Sequence, residues 1–174
     1  MIGAESEGWA VKNDLTLPAD GGLLNVRVGA IIQKDGKVLM VKNPAADYYY
    51  SVGGRIAFGE TSAEAVVREV EEETGVKMEV DRLGFIHETF FVDKDEGSPR
   101  QGTLIYEISF YFFMKTPENF EPVCESTTNA GQKEALVWVS PESDERYYPA
   151  FFRTELKVPF AGLKHIVTDE RTEE

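Results

Sequence analysis

Runs of β-branched and aromatic residues predict strands along much of the chain. The first run, residues 25–34 (NVRVGAIIQK), leads into Asp35-Gly36, and a second run, residues 37–42 (KVLMVK), follows. An Asp-Gly pair between two such runs is typical of a β-hairpin, because both residues accept the positive φ angles of a two-residue turn. The pattern therefore predicts a hairpin over residues 25–42.

Further strands are predicted after the hairpin. A glycine pair, Gly53-Gly54, ends the first of them, and such a pair lets the backbone turn sharply or approach a ligand closely. The polar stretch DKDEGSPRQG, residues 93–102, separates the two longest runs and is typical of a loop. The predicted strands cover residues 48–52, 77–92, 103–114 and 135–140, and a short helix is predicted over residues 148–156.

One long segment has clear helical periodicity. Thr61 and Glu64 have the spacing of a capping box, and Gly75 is a natural helix end because glycine accepts the left-handed conformation. The helix is therefore predicted over residues 62–74. Four apolar residues at i, i+3, i+4 and i+7 form the stripe expected to face the core: Ala63, Val66, Val67 and Val70.

The same helix carries four glutamates within five residues, REVEEETG, although like charges one turn apart repel. At about 100° per residue, Glu69, Glu72 and Glu73 share one arc, predicted to lie opposite the core, whereas Glu71 projects close to Glu64. Three such carboxylates suit Mg²⁺ or Mn²⁺. The alternative is a surface helix whose glutamates serve solubility, and the spacing alone does not decide between them.

Length and composition limit the classes of protein to which the chain can belong. The 174 residues predict one domain, and a net charge of −13 argues against nucleic acid and anionic membranes as partners. No apolar run is long enough to cross a bilayer, and the N-terminal stretch lacks the pattern of a secretory signal. The single cysteine, Cys124, fits a reducing cytoplasm, where we expect the protein. A homodimer is left open.

The segment GRIAFGETSAEAVVREVEEETGV, residues 54–76, resembles the signature of the Nudix hydrolases. In that signature a glycine, a glutamate, the run Arg-Glu-apolar-any-Glu-Glu and a Gly-apolar pair recur at fixed intervals. The positions are filled by Gly54, Glu60, Arg68, Glu69, Val70, Glu72, Glu73, Gly75 and Val76.

The resemblance implies an α/β fold, a Nudix-type α/β/α sandwich with a mixed central sheet. It extends more loosely over residues 25–167, which we take as the Nudix domain. Residues 1–24 then form an N-terminal extension and residues 168–174 an acidic C-terminal tail.

The resemblance also implies an activity. Nudix enzymes use water to cleave the diphosphate of a small-molecule nucleoside diphosphate derivative, with divalent ions neutralising the phosphate charge. The implied cofactor is Mg²⁺, with Mn²⁺ as a substitute, and the implied ligands are Glu69, Glu72, Glu73 and the carbonyl of Gly54. Arg68 is expected to orient one carboxylate, and Glu60 to support the site from the other side.

The general base stays open. In this family it is a glutamate of the signature, here Glu69 or Glu72, or a glutamate from a distant loop. Glu134, just before the strand predicted at residues 135–140, is the candidate of the second kind, and Glu125 is a weaker one.

Substrate contacts are hypotheses. Arg27 on the first strand is placed to reach a phosphate, and Tyr50 to stack on a base or ribose, although residues 48–50 serve equally well as packing. His87 and His165 have no metal-ligand spacing and are interpreted as structural. Residues 93–97 faintly resemble a calcium loop but lack its closing glutamate, and a calcium site is rejected.

No subfamily is assigned. The residues beyond the signature include neither the proline of many ADP-ribose pyrophosphatases nor the tyrosine of diadenosine polyphosphate hydrolases in the expected place. The substrate class therefore includes nucleotide sugars, ADP-ribose-like compounds and modified nucleoside triphosphates. A non-catalytic nucleotide sensor on the same fold is the alternative, and the complete set of signature glutamates argues against it.

Overall fold

Strands form most of the fold in the computed structural model, which describes residues 13–42, 47–94, 98, 100–122 and 134–171. Along the chain the strands are β1 Thr16–Ala19, β2 Gly22–Ile31, β3 Gln33–Lys34, β4 Lys37–Lys42, β5 Tyr49–Ser51, β6 Gly53–Arg55, β7 Val80–Val92, β8 Leu104–Met114, β9 Ala135–Val139, β10 Tyr147–Tyr148 and β11 Lys164–Asp169. The helices are α1 Ser62–Thr74, between β6 and β7, and α2 Phe152–Glu155, between β10 and β11.

The larger sheet is mixed. Its order is β1-β2-β8-β7-β11, and β6 also pairs with β2. The β2–β8 and β11–β7 pairs are parallel, whereas β1–β2, β2–β6 and β7–β8 are antiparallel. Strand β2 therefore sits at the centre of the site described below, because it carries β6 on one side and β8 on the other.

The smaller sheet contains the turn of the predicted hairpin. Its order is β10-β5-β4-β3, with β9 also paired to β4. Gln33 faces Val38 across the turn, and Asp35 and Gly36 have φ angles of 50° and 74°, as a two-residue hairpin turn requires. The turn is confirmed, but the hairpin is shorter than predicted: residues 33–34 pair with residues 37–38, whereas residues 25–31 belong to β2 of the larger sheet.

Two apolar cores lie on opposite faces of the sheets. Val28 of β2 and Leu39 of β4 pack in the core that contains Val66 of α1, whereas the core that contains Phe152 of α2 takes other residues of the same strands, Ile31 and Met40. Since successive strand residues point to opposite faces, one helix covers each face. The predicted α/β/α sandwich with a mixed sheet is confirmed.

Helix α1 has the predicted bounds and caps. The Thr61 hydroxyl accepts a hydrogen bond from the Glu64 amide at 3.2 Å, Glu64 accepts one from the Thr61 amide at 2.8 Å, and Gly75 is left-handed with φ 70°. The predicted core stripe is partly wrong, because Ala63 is exposed and Ala65 is buried instead. The buried face is centred on Val66 and extends towards Ala65.

The second predicted helix is shorter than expected. The sequence predicts a helix over residues 148–156, but Tyr147 and Tyr148 pair in parallel with β5, and α2 spans only Phe152–Glu155. Pro149 disfavours helical geometry in the residue before it, which explains why Tyr148 is not part of the helix. None of the helices in the described part of the chain is long and apolar enough to span a membrane.

Four of the described strands were not predicted: β1, β6, β10 and β11. β1 pairs with β2 from within the predicted N-terminal extension, and β11 adds the last strand beside β7. β7 also begins later than expected, at Val80 rather than at residue 77. The division of the chain at residues 24 and 167 stays a prediction.

Candidate metal and phosphate site

The glycine pair lies directly under the acidic helix. Gly53 and Gly54 do not form a free turn, because β6 runs antiparallel to β2 and pairs Gly54 with Val28. A Cβ atom on Gly53 would overlap the carbonyl oxygen of Val28, and one on Gly54 would overlap the carboxylate of Glu69. Gly53 therefore has to be glycine, because the Val28 backbone cannot move aside, whereas a side chain at Gly54 would displace the Glu69 carboxylate.

The Glu73 side chain lies against strand β6. Its Oε1 accepts a hydrogen bond from the Gly53 amide at 3.3 Å, and its Oε2 is buried with no hydrogen-bond partner among the described residues. Burial raises the pKa of Glu73 to about 8; the carboxylates of Glu69 and Glu134 add to the increase, whereas the Gly53 amide and Arg27 oppose it. A cation beside this carboxyl group would stabilise its ionised form near neutral pH.

Contrary to the sequence prediction, the three glutamates do not lie opposite the core. At about 100° per residue, Glu69 and Glu73 lie only about 60° and about 20° from Val66, so they border the buried face rather than oppose it. The Glu69 side chain is 14% exposed and that of Glu72 is 49% exposed. Glu71 is exposed, as expected. The exposure of the three side chains therefore differs, and Glu72 is the most exposed of them.

Arg68 connects the acidic residues around the helix. Its Nη2 and Nε donate to the two oxygens of Glu60, at 2.6 and 3.1 Å, and its Nη1 donates to Glu69 at 2.6 Å and to Glu72 at 3.1 Å. Glu60 also accepts from the Ala57 amide at 2.6 Å. The paired bonds between Arg68 and Glu60 fix the guanidinium, and the guanidinium in turn fixes one oxygen each of Glu69 and Glu72.

The donor set has features that fit a divalent cation. Among the described residues no three His, Cys, Asp or Glu side chains are grouped closely enough to hold a metal ion. The features that fit a cation are the buried unpartnered oxygen of Glu73 and the closeness of the Glu69 carboxylate to the Gly54 backbone.

Three residues predicted from outside the signature lie near this site. Tyr50 donates a hydrogen bond to Glu134, and burial together with that bond raises the pKa of Tyr50. The charges of Glu134 and Arg27 both act on Glu73. Arg27, Tyr50 and Glu134 are therefore brought to the glutamates of α1, whereas Glu125 lies outside the described residues.

The histidines have no place in the site. His87 is buried with its Nε2 atom 2.8 Å from the Thr168 hydroxyl, and burial lowers its pKa to about 4. His165 pairs with Glu88 at 2.7 Å on the far strand β11. Of the rejected calcium loop, only residues 93 and 94 lie within the described part.

Sequence reasoning missed two residues of this region. Gly53 supplies a backbone donor to Glu73, and Arg55 follows Gly54 on β6, opposite Arg27 on β2. Gly53 was recognised only as half of a glycine pair. The signal for Arg55 was its place directly after Gly54, but the strand that brings it to Arg27 depends on tertiary pairing.

The sequence matches a known domain model and several named proteins. A sequence model of the NUDIX domain matches residues 23–150. A CTP pyrophosphohydrolase of Escherichia coli K12 is 29% identical over 124 residues, which cover 69% of this chain and 78% of that protein. An ADP-ribose pyrophosphatase of Methanocaldococcus jannaschii is 46% identical over 61 residues, which cover 33% of this chain and 36% of that protein.

Solved structures show the same fold. A MutT NUDIX hydrolase from Burkholderia pseudomallei superposes with a TM-score of 0.53 at 23% identity, covering 77% of this chain and 96% of that one. An ADP-ribose pyrophosphatase from Streptococcus suis superposes with a TM-score of 0.51 at 16% identity, covering 82% and 98%. With the domain match over residues 23–150 and the complete signature on β6 and α1, this chain belongs to the Nudix hydrolase family and is an enzyme of that family.

Proposed function

We propose that the protein is a Mg²⁺-dependent pyrophosphohydrolase that cleaves the diphosphate of a nucleoside diphosphate derivative and releases a nucleoside monophosphate. The observation that carries the proposal is the placement of Glu69 and Glu73 against the Gly53-Gly54 backbone, with one buried oxygen of Glu73 lacking a partner among the described residues. The names of two relatives, a CTP pyrophosphohydrolase and an ADP-ribose pyrophosphatase, support this substrate class.

Four groups would hold the cation: the carboxylates of Glu69, Glu72 and Glu73 and the carbonyl of Gly54. Nudix hydrolases generally use a divalent metal, and such an ion neutralises phosphate oxygens and lowers the pKa of water. Mn²⁺ is the expected substitute, since it accepts the same oxygen ligands. An acidic protein can then bind an anionic substrate.

The chain's own residues position these groups. Glu60 fixes Arg68 through two hydrogen bonds, and Arg68 limits the movement of the Glu69 and Glu72 side chains. In hydrolysis the oxygen of water bonds to a phosphorus, the bridging P–O bond breaks, and a carboxylate accepts the proton of the water.

The carboxylate that accepts the proton is Glu69, Glu72 or Glu134. Glu134 is supported by its hydrogen bond from Tyr50, since the raised pKa of Tyr50 keeps the phenol protonated as a donor. That bond holds Glu134 close enough for its charge to act on Glu73. Tyr50 is therefore proposed to orient Glu134, in addition to contacting the substrate.

A substrate panel tests the proposal. Nucleotide sugars, ADP-ribose, dinucleotides and modified nucleoside triphosphates are incubated with Mg²⁺, Mn²⁺ or EDTA, and the products are identified by chromatography. We expect metal-dependent release of a nucleoside monophosphate from at least one compound. If some compounds bind but none is turned over with either metal, the sensor alternative replaces the proposal.

A further inference from the structure

Two arginines face each other beside the glycine pair. In the antiparallel pairing of β2 with β6, Arg27 is directly opposite Arg55. Directly opposed residues on neighbouring strands have Cβ atoms about 5 Å apart, and like charges in such a pair destabilise a sheet. Two cations in this position require a compensating partner.

The neighbouring carboxylates compensate the pair incompletely. Arg27 Nη1 lies 3.7 Å from Glu107 Oε2, and Arg55 Nη1 lies 3.8 Å from Asp14 Oδ2. Both separations exceed hydrogen-bond distance. The Arg55 Nε atom is buried and has no hydrogen-bond partner within the described residues. These ion pairs therefore leave donor capacity on the two guanidinium groups.

The two arginines are balanced to different extents. The charges of Glu107, Glu69 and Glu73 act on Arg27. Arg55 has Asp14 and Glu107 on one side of the balance and the charges of Arg27 and Arg100 on the other. Arg27 and Arg55 thus form a patch in which Arg55 is the less compensated cation, and an anionic ligand would stabilise it.

The patch adjoins the glutamates of α1. Arg55 follows Gly54, whose backbone lies against the Glu69 carboxylate, and the charges of Glu69 and Glu73 act on Arg27. The side chains of Arg27 and Arg55 are 35% and 31% exposed, so a ligand can reach them. An anion bound here would lie beside the carboxylates proposed to hold the metal.

We propose that Arg27 and Arg55 together bind a phosphate group of the substrate, each donating from its planar guanidinium to the phosphate oxygens. Arginine suits this task because its fixed fork of donors matches phosphate geometry. The inference rests on the proposed function for the identity of the ligand. It adds a second cation, Arg55, to Arg27, and it explains why the two are opposed across β2 and β6.

The first test measures binding without metal or turnover. Inorganic pyrophosphate is titrated in EDTA at constant ionic strength, and the melting temperature is followed for the wild type, Arg27→Gln, Arg55→Gln and the control Arg171→Gln. Arg171 is also half exposed and paired with one carboxylate, but it follows β11, three strands from β2. We expect a saturable increase in the wild type and control, and its loss in both site variants.

The ligand-free proteins give a second readout. If the arginines bind an anion, Arg55→Gln removes repulsion and should melt no lower than the wild type. If Arg55 is instead a structural partner of Asp14, the variant melts lower and keeps the pyrophosphate response, which overturns the proposal. Should Arg27→Gln fail to fold because Glu107 loses its cation, Arg55→Gln decides the question by itself.

Kinetics separate this inference from the proposed function. With a substrate identified by the panel, Arg55→Gln should raise KM about tenfold or more, the usual effect of losing a hydrogen bond to a charged group, while Arg55→Lys recovers part of the loss. Turnover with unchanged KM in both site variants overturns the arginine site but leaves the hydrolase. Loss of the pyrophosphate response in the variants supports the site even if no substrate is hydrolysed.

Discussion

Glutamates only a few positions apart on α1 have very different environments. Glu73 is largely buried against Gly53, with a pKa raised to about 8 by burial, whereas Glu71 is exposed. A buried carboxylate without a full set of partners lowers stability. This environment supports the proposed role of Glu73 as a metal ligand, because buried groups of this kind cluster at functional sites.

Substitution of these two glutamates should separate function from stability. Glu73→Gln is expected to lower turnover about 100-fold or more, since it removes a proposed metal ligand, yet to leave the melting temperature at or above that of the wild type. Glu71→Gln is the matched control on the same helix and should change neither. Steady-state kinetics and thermal melting measure both. Equal losses of turnover in the two variants would contradict the assignment.

The sequence identifies the glutamates of the candidate site, but it does not show which of them are buried. The spacing of Glu69, Glu72 and Glu73 needs only the order of residues, so the signature was visible directly. The partial burial of Glu73 depends on β6 lying under α1, and no local pattern reports that contact. For the same reason Arg55 was overlooked, since its position opposite Arg27 exists only in the paired sheet.

Elements with local signals were predicted well. Helix α1 has both caps within its own sequence, and the β3–β4 hairpin has its Asp-Gly turn, so each was recognised from a few adjacent residues. Strands β1, β6 and β11 are defined by their neighbours: β2 for the first two and β7 for the third. Short strands of this kind lack a distinctive sequence pattern and were missed.

The contact between β6 and α1 can be tested through Gly54. A methyl group in Gly54→Ala would overlap the Glu69 carboxylate, which is the movable end of a side chain, so the fold should lose no more than about 1 kcal/mol of stability. Displacement of that carboxylate should lower turnover substantially. Gly162→Ala is the control, because the added methyl group meets no atom within 4 Å. Normal activity in Gly54→Ala would argue against a role for this contact.

Because the whole molecule is acidic, the binding of cations should raise its stability, and this increase can be measured. Thirty-one acidic residues against eighteen basic ones leave a net charge of −13, so any added salt screens repulsion and raises stability somewhat. A specific ion adds a second effect, because a ligand that binds only the folded state stabilises it in proportion to its occupancy. The two effects differ in their dependence on ion type and concentration.

Mg²⁺ should therefore raise the melting temperature more than NaCl at equal ionic strength. At ten times the dissociation constant, mass action gives about 1.4 kcal/mol, or roughly 4 °C for a chain of this size. EDTA should reverse the shift. Glu73→Gln should retain the NaCl response but lose most of the Mg²⁺ increment, because only the specific ion needs its carboxylate. Equal Mg²⁺ increments in the wild type and Glu73→Gln would place the cation elsewhere on the acidic surface.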